Sequence, residues 1–445
     1  MYSEKISEEF KKHGIEIGDR ISIKDSEGSN EGMLMPRPDV SKSDIIIIKR
    51  DDGYNIGIKY GKGTKLKRVS GKQHAAPERR FTAKPQKGLP KVTLLYTGGT
   101  IGSKLDYVSG GVKALTKAEE LLAEVPELGS IAELEVKQIM SVFSEDMTHM
   151  EWKEIAEAAA EAINNGSKGV IVTHGTDTMH YTASALSFML HGLNAPVILT
   201  GAQRSSDRGS SDAFMNLICS AYAAGNSDIA EVVICMHADS SDKECMLIRG
   251  TKARKMHTSR RDAFRPVNNS AIAYVSINGS IRYNSAYRKT TSLKEKVAVK
   301  SSFEAKVALL NTHPNSSPEM LDFLISKGYR GIILEGTGLG QIPINTKHSG
   351  YNWRSALKRA IDAGMVVGMT SQCLYGRVNP RVYSTARELA DLGVIYCEDM
   401  LPETAYVKLG FLLGNYGKED AEKLLSKDLS GEITARSETE WKSDI

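Results

Sequence analysis

Two short segments hold the residues most able to do chemistry. KGVIVTHGTDTMHYTASAL, residues 168–186, ends an apolar β-branched run in Thr176, Asp177 and Thr178. VTLLYTGGTIGS, residues 92–103, ends a similar run in Thr97, a Gly98-Gly99 turn and Thr100. Runs that stop at glycine and polar residues in this way are the pattern of central parallel strands feeding loops at their carboxyl ends. Open α/β sheets bind ligands outside those ends. Two hydroxyls and a carboxylate on flexible glycine turns point to nucleophilic hydrolysis of a small substrate, with no metal or redox cofactor. Each residue also has a plainer reading: Asp177 or Thr178 fits the N-cap of a helix over 178–190. His174 and His180 read as structural histidines, because no HExxH pattern or third ligand accompanies them.

Such loops need a sheet to hold them. From Lys91 onward, strands expected at 134–140, 169–173, 196–200 and 231–236 alternate with helices expected at 150–163, 178–190 and 212–224. This alternation implies right-handed βαβ crossovers and a parallel sheet covered on both faces. The pattern lapses between Tyr283 and Ser302 and resumes in strands at 306–310, 331–334, 366–370 and 393–396, with helices near 318–326, 353–363 and 402–413. Residues 15–70 instead hold short alternating runs separated by Gly, Asn, Asp and Ser, the mark of a small all-β barrel. The expected division is a barrel over 1–72, a linker over 73–90, a large α/β domain over 91–285, a linker over 286–305, a smaller α/β domain over 306–425 and a loose or late-docking tail over 426–445.

A chain of 445 residues exceeds what one core usually holds. Its five cysteines are odd in number and form no CxxC pair, which argues against a disulfide framework or zinc ribbon and for a reducing cytoplasm. No apolar run reaches membrane-spanning length, and the charged start has no signal-peptide core. The net charge of +4 is unevenly spread: residues 1–90 carry 19 Lys+Arg against 13 Asp+Glu, whereas the rest carry 39 against 41. The basic excess is densest between Lys59 and Arg80, which suits either a phosphate backbone or a lysine-protected strand edge. Neither GxGxxG opening a helix nor GxxxxGK[ST] is present, so nucleotide binding by this chain is not expected.

The segments TGGTIGS (97–103), SEDM (144–147), THGTDTM (173–179), LTGAQR (199–204), DAFMNL (212–217), GTGLGQIP (336–343) and SQCLYGRV (371–378) resemble, in order and spacing, the L-asparaginase family over roughly residues 91–430. The N-terminal extension, together with RGTKARKMHTSRRDAF (249–264), is similar to a branch of that family, the D subunits of archaeal glutamyl-tRNA(Gln) amidotransferases. The resemblance implies an asparaginase-like two-domain parallel-sheet body preceded by the small barrel. It implies Thr100 as the usually cited nucleophile and Thr176 as the second essential threonine, with the order of their attack left open, Lys255 as the base and Asp177 as the carboxylate that orients the lysine and binds the substrate's α-ammonium. A register slip would replace Lys255 by Lys252. Tyr107 matches a tyrosine on a flap that closes over the substrate, and Ser144 a serine that holds its α-carboxylate; Glu145 beside it stands at a position the family varies.

The same resemblance implies partners. The substrate is glutamine or asparagine, which differ by one methylene that sequence does not rank. A partner E subunit, binding ATP and Mg, activates glutamate misacylated on tRNA(Gln), and the ammonia released by this chain amidates it. Transfer runs along an enclosed path, and the assembly is a homodimeric core within a heterotetramer in the cytoplasm. No cofactor is expected on this chain. Two other readings stand beside this one: a stand-alone cytoplasmic L-asparaginase with a regulatory β domain, and a catalytically dead tRNA-binding scaffold.

Overall fold

The computed structural model describes residues 2–26, 28–35, 44–50, 55–70, 88–99, 101, 103–105, 112–114, 125–204, 211–292 and 295–437. At the N-terminus, helix α1 (Glu4–Lys12) precedes β1 (Arg20–Asp25), β2 (Gly28–Leu34), β3 (Ile45–Lys49), β4 (Asn55–Lys59) and β5 (Lys65–Ser70). The five strands form one antiparallel sheet in the order β4-β3-β2-β1-β5. Alternation in ISI and IIII buries Ile21, Ile23, Ile46 and Ile48, and α1 covers them by burying Ile6 and Phe10. The charged first residues therefore form an amphipathic lid on the small core, a role that their charge concealed.

The large sheet is built from β6 (Lys91–Gly98), which a β7 (Ser103–Leu105) and β8 (Val112–Ala114) hairpin follows, then β9 (Glu133–Val142), helix α2 (His149–Asn164), β10 (Gly169–Thr173), helix α3 (Met179–Met189), β11 (Val197–Thr200), helix α4 (Ala213–Asn226) and β12 (Val232–His237). Thr148 and Glu151 form a reciprocal capping box that starts α2. β9, β6, β10, β11 and β12 are neighbours and all parallel. Beyond β12 the sheet changes sense. β13 (Glu244–Arg249) turns back antiparallel, a short ribbon of β14 (Ala253–Lys255) and β15 (Phe264–Pro266) leaves the sheet, and β16 (Ala273–Ser276) and β17 (Ile281–Tyr283) complete it in the order β17-β16-β13-β12-β11-β10-β6-β9. The alternating-element pattern anticipated the parallel half and missed this antiparallel extension.

Both faces of the central parallel strands are covered, which is why β10, β11 and β12 are buried throughout, whereas the edge strand β9 is mixed. On β10, Val170 and Val172 join the cluster under α2 and α3, while Ile171 joins the opposite cluster with Leu217 and Ile218 of α4. The smaller α/β unit has four parallel strands, β18 (Val307–Asn311), β19 (Gly331–Gly336), β20 (Val366–Ser371) and β21 (Ile395–Tyr396), with α5 (Glu319–Ser326), α6 (Arg354–Asp362), α7 (Ser384–Asp391), α8 (Pro402–Asn415) and α9 (Lys418–Leu424).

The two α/β units are not loosely tethered. Phe411 and Leu412 of α8 belong to the same apolar cluster as Leu186 and Phe188 of α3. Phe188 and Phe411 stack with ring centroids 5.9 Å apart. Burying side chains of this size contributes about 1.5 to 3 kcal/mol each. The stretch between the units is itself docked: Ala298 and Val299 pair with His191 and Leu190.

Of the two alternatives for the tail, loose or late-docking, the residues as far as Ser437, the last described, are docked. Glu432 is fully buried and pairs with the equally buried Lys408 of α8 at 2.6 Å. Its carboxylate also accepts the backbone N–H of Leu429 and Ser430. Composition rich in Ser, Glu and Lys suggested solvent; one buried ion pair, its oxygens fully bonded, overrides it.

Candidate active site

The two chemically equipped strand ends are neighbours. β6 and β10 run parallel with Tyr96 opposite Thr173, and Thr97 Oγ1 donates to the Thr173 carbonyl at 2.5 Å. Beyond them the backbones come unusually close. Gly99 has φ +83°, and a Cβ there would fall 2.5 Å from the Gly175 nitrogen. A Cβ on Gly175 would lie 2.8 Å from Ser144 Oγ, and one on Gly201 2.5 Å from the His174 carbonyl oxygen. Only glycine permits these approaches. Four loops, from β6, from β10, from β11 and from the Ser144 turn after β9, are thus pressed together at the carboxyl ends of the parallel strands, where ligands bind in such sheets.

Thr176 is buried and Asp177 is 69% exposed at its side chain. Both meet Lys255, whose Nζ donates to Thr176 Oγ1 at 2.8 Å and to Asp177 Oδ1 at 2.7 Å. The lysine arrives from β14, 79 residues further along the chain from the threonine. β14 is held in turn by β15, where Lys255 lies opposite Phe264. Lys252 takes no part: it is buried against Asp399 at 2.8 Å, a tie to the smaller domain. The register that puts Lys255 in the site is therefore the one the fold adopts.

The capping alternative also resolves. Thr178 is the N-cap of α3 but makes no side-chain capping bond. Its hydroxyl instead donates to the Ser144 carbonyl at 2.6 Å, tying the Ser144 turn to the Thr176 loop. Ser144 itself is buried, and Glu145 is exposed, its Oε2 only a long 3.5 Å from Ser144 Oγ. Thr100 and Tyr107 lie outside the described residues.

Of the two histidines flanking the motif, His174 is structural, as its isolation in the sequence suggested, whereas buried His180 has no hydrogen-bond partner at Nδ1 among the described residues and lies 3.9 Å from Glu403 through Nε2. His174 Nδ1 donates to the Gly175 carbonyl at 2.7 Å, so Nε2 is the acceptor for the Thr182 hydroxyl at 2.8 Å. Burial lowers its pKa to about 4, with the Gly175 bond opposing weakly. Burial also lowers His180 to about 3, with help from the nearby cations Arg254 and Lys255. Both rings are neutral at neutral pH.

Sequence reasoning gave no role to several supports. Arg254, next to Lys255 on β14, is held by Glu403 of α8 at 3.1 Å. Thr404 donates to the Thr251 carbonyl at 3.1 Å and lies 3.0 Å from Ser184 of α3. Asp212, buried at the start of α4, accepts the N–H groups of Gln203 and Arg204 at 3.0 Å, which fixes the loop carrying Gly201. The glycines inside THGTDT and LTGAQ were the signal for close approach; the Glu403 tie had none.

Residues 91–288 match the family described as Asparaginase, N-terminal, and residues 306–424 the Glutaminase/Asparaginase C-terminal domain. In solved structures, the thermostable L-asparaginase from Thermococcus kodakarensis is similar with a TM-score of 0.68 and 30% identity, covering 78% of this chain and 100% of its own. L-asparaginase I from Vibrio cholerae matches equally well, with a TM-score of 0.68, 30% identity and coverage of 78% and 99%. Those enzymes leave about a fifth of this chain unmatched. Residues 15–69 match the GatD N-terminal domain. A Pyrococcus furiosus protein named as the D subunit of glutamyl-tRNA(Gln) amidotransferase is 49% identical over 438 residues, 97% of this chain and 98% of its own. A Methanopyrus kandleri protein of the same name is 44% identical over 97% of this chain and 94% of its own. The chain belongs to the family of glutamyl-tRNA(Gln) amidotransferase D subunits. Its α/β body is an asparaginase-type amidohydrolase, and the resemblance to these D subunits covers 97% of the chain, against 78% for the solved asparaginases. Among the described residues no group of three His, Cys, Asp or Glu side chains is placed to hold a metal ion, and no helix is long and apolar enough to cross a membrane.

Proposed function

We propose that this chain hydrolyses the side-chain amide of free glutamine, or of asparagine, and supplies the ammonia with which a partner E subunit amidates glutamate carried on tRNA(Gln). A threonine hydroxyl adds to the amide carbon; the C–N bond breaks, a proton passes to the leaving nitrogen, and ammonia departs from a threonyl ester. Water then attacks that ester, which releases the free acid and restores the hydroxyl. Thr100 and Thr176 are the two hydroxyls for these steps, and Lys255 is the proton acceptor. The observation that carries the reading is the pair of bonds from Lys255 Nζ to Thr176 Oγ1 and Asp177 Oδ1.

Each remaining requirement of amide hydrolysis has a candidate. The open flank of Asp177 suits a substrate α-ammonium, a charge-assisted contact that an exposed carboxylate is free to make. Ser144, turned toward the Gly175 approach, suits the α-carboxylate. Tyr107 serves as the closing flap that excludes water. ATP and Mg belong to the partner, and the ammonia travels by an enclosed route because bulk water protonates it to a poor nucleophile. A homodimeric core bearing two E subunits is the assembly that fits.

Labelling with an electrophilic glutamine mimic, followed by peptide mapping, tests the site. The label should sit on Thr100 or Thr176 and vanish when Lys255 is replaced; a label elsewhere would remove the reading. Adding purified partner, ATP and misacylated tRNA tests the wider role. Ammonia release should rise and become coupled to amidation, whereas a high rate indifferent to those additions would mark a stand-alone asparaginase.

A further inference from the structure

The N-terminal sheet carries a feature that amide hydrolysis leaves unused. Strand pleating sends alternate residues to opposite faces, and Ile21, Ile23, Ile46, Ile48, Ile58 and Leu66 all turn toward the core under α1. Cross-strand register then assigns the outer face: Arg20 and Lys24 on β1, Lys65 and Lys67 on β5, Lys49 on β3 and Lys59 on β4. The one acidic side chain on that face among the described strand residues is Glu31 of β2, which binds Arg20 at 2.7 Å. Six cations on four of the strands, with one anion on the fifth, span roughly 20 Å at the usual ~4.8 Å strand spacing.

The arrangement is costly in isolation. Lys24 and Lys65 stand directly opposite each other on adjacent antiparallel strands, and like charges so placed repel. Lys24, Lys59, Lys65 and Lys67 are exposed, and none is within ion-pairing distance of a carboxylate among the described residues. A polyanion would relieve that repulsion. The choice between a protein and a nucleic acid follows from composition: the buried centres of protein interfaces are depleted in lysine, whereas a phosphate backbone is bound by lysine and arginine acting as point charges, with release of counterions.

We propose that the outer face of this sheet binds the phosphate backbone of the tRNA whose glutamate receives the ammonia. The inference rests on the reading above that the ammonia acceptor is carried on tRNA. It gives the N-terminal domain a positioning role: it holds the tRNA body beside the ammonia source, independent of base sequence.

The full chain is titrated with transcribed tRNA(Gln) over a series of salt concentrations, alone and with its partner subunit. Lys24→Glu/Lys65→Glu/Lys67→Glu should weaken binding about tenfold or more near ~0.1 M salt and flatten the slope of log affinity against log salt by about 2 to 3, one counterion per lost contact. The milder Lys24→Gln/Lys65→Gln/Lys67→Gln variant should fall between this and the unaltered chain. Unchanged affinity and slope in both variants would overturn the proposal, as would absence of tRNA binding by the unaltered chain in either form. Retained RNA binding with loss of the partner subunit on size exclusion would also overturn it, moving the face to a protein contact. Ammonia release from glutamine, read on the same samples, should be equal in all three; its absence from the unaltered chain would count against the amide reading alone.

Discussion

Two lysine–aspartate pairs, whose lysines lie three residues apart in sequence, do opposite things in this protein. Lys252 with Asp399 and Lys255 with Asp177 have nearly the same length, 2.8 and 2.7 Å. The first has side chains 0% and 1% exposed and joins the large domain to the smaller one; the second has an aspartate 69% exposed at the mouth of the sheet. Asp399 is saturated, since it also accepts the N–H and hydroxyl of Thr434, at 2.9 and 2.5 Å. Asp177 keeps capacity in reserve. Contact distance therefore says little about role; what decides it is how much hydrogen-bonding capacity each carboxylate has left and whether solvent, or a substrate, can reach it. Burial lowers the Lys252 pKa against the pull of Asp399, so this ammonium is kept by its partner at a desolvation cost.

The largest expected effect separates the two pairs directly. Lys255→Met should reduce ammonia release by about 10²- to 10⁴-fold, the usual loss for a removed general base, while denaturant unfolding shifts by no more than about 1 kcal/mol because the stranded carboxylate is already in solvent. Equal losses of activity and stability would erase the distinction. Lys252→Met should do the reverse, costing about 3 to 5 kcal/mol by leaving a buried carboxylate unpaired. Lys252→Met/Asp399→Leu should regain part of that loss. If the single variant unfolds like the unaltered protein, the junction is not held by this pair.

Acid sharpens the contrast, because the groups that respond stand behind the open pair. His174 and His180 have pKa values lowered by burial to about 4 and about 3, against about 6.5 in the unfolded chain. Below pH 6.5 the unfolded state binds protons that the folded state refuses. Stability is thus full above that value and falls as pH drops toward 4 and then 3, by at most on the order of 3 kcal/mol for His174 and on the order of 5 kcal/mol for His180. His180→Gln should flatten the measured stability between pH 6 and 4; an unaltered profile would assign acid sensitivity elsewhere. The smallest effect concerns the loops themselves. Gly99→Ala forces a left-handed backbone onto a residue with a Cβ and pushes that carbon into the Gly175 backbone, for a loss of about 1 to 3 kcal/mol. Differential scanning calorimetry would register it.

Much of the α/β body was legible from the chain. The strand ending in Thr173 and the helix expected over 150–163 announce themselves through an apolar run and an amphipathic period, both local signals. What escaped was non-local. The antiparallel strands Ala273–Ser276 and Ile281–Tyr283 are short and mixed in burial, so nothing in their periodicity sets them apart from loops, and the apolar run of Glu244–Arg249 does not by itself reveal that it turns back antiparallel. The seating of Glu432 depends on Lys408, 24 residues away, and charged composition points the other way. In the site, Thr176 and Asp177 were marked by their strand end, whereas Lys255 sits among basic neighbours, and only similarity to known enzymes, or the fold itself, distinguishes it from Lys252.

The interlocked glycines have an evolutionary corollary. Because Gly99 faces Gly175, and Gly175 faces Ser144, across gaps narrower than a methyl group, no single one of these positions can drift to a larger residue without another yielding. Across descendants of this sequence the three should change as a coordinated set or stay fixed, a signature of mutational covariance that steric fit imposes whatever substrate the pocket comes to prefer.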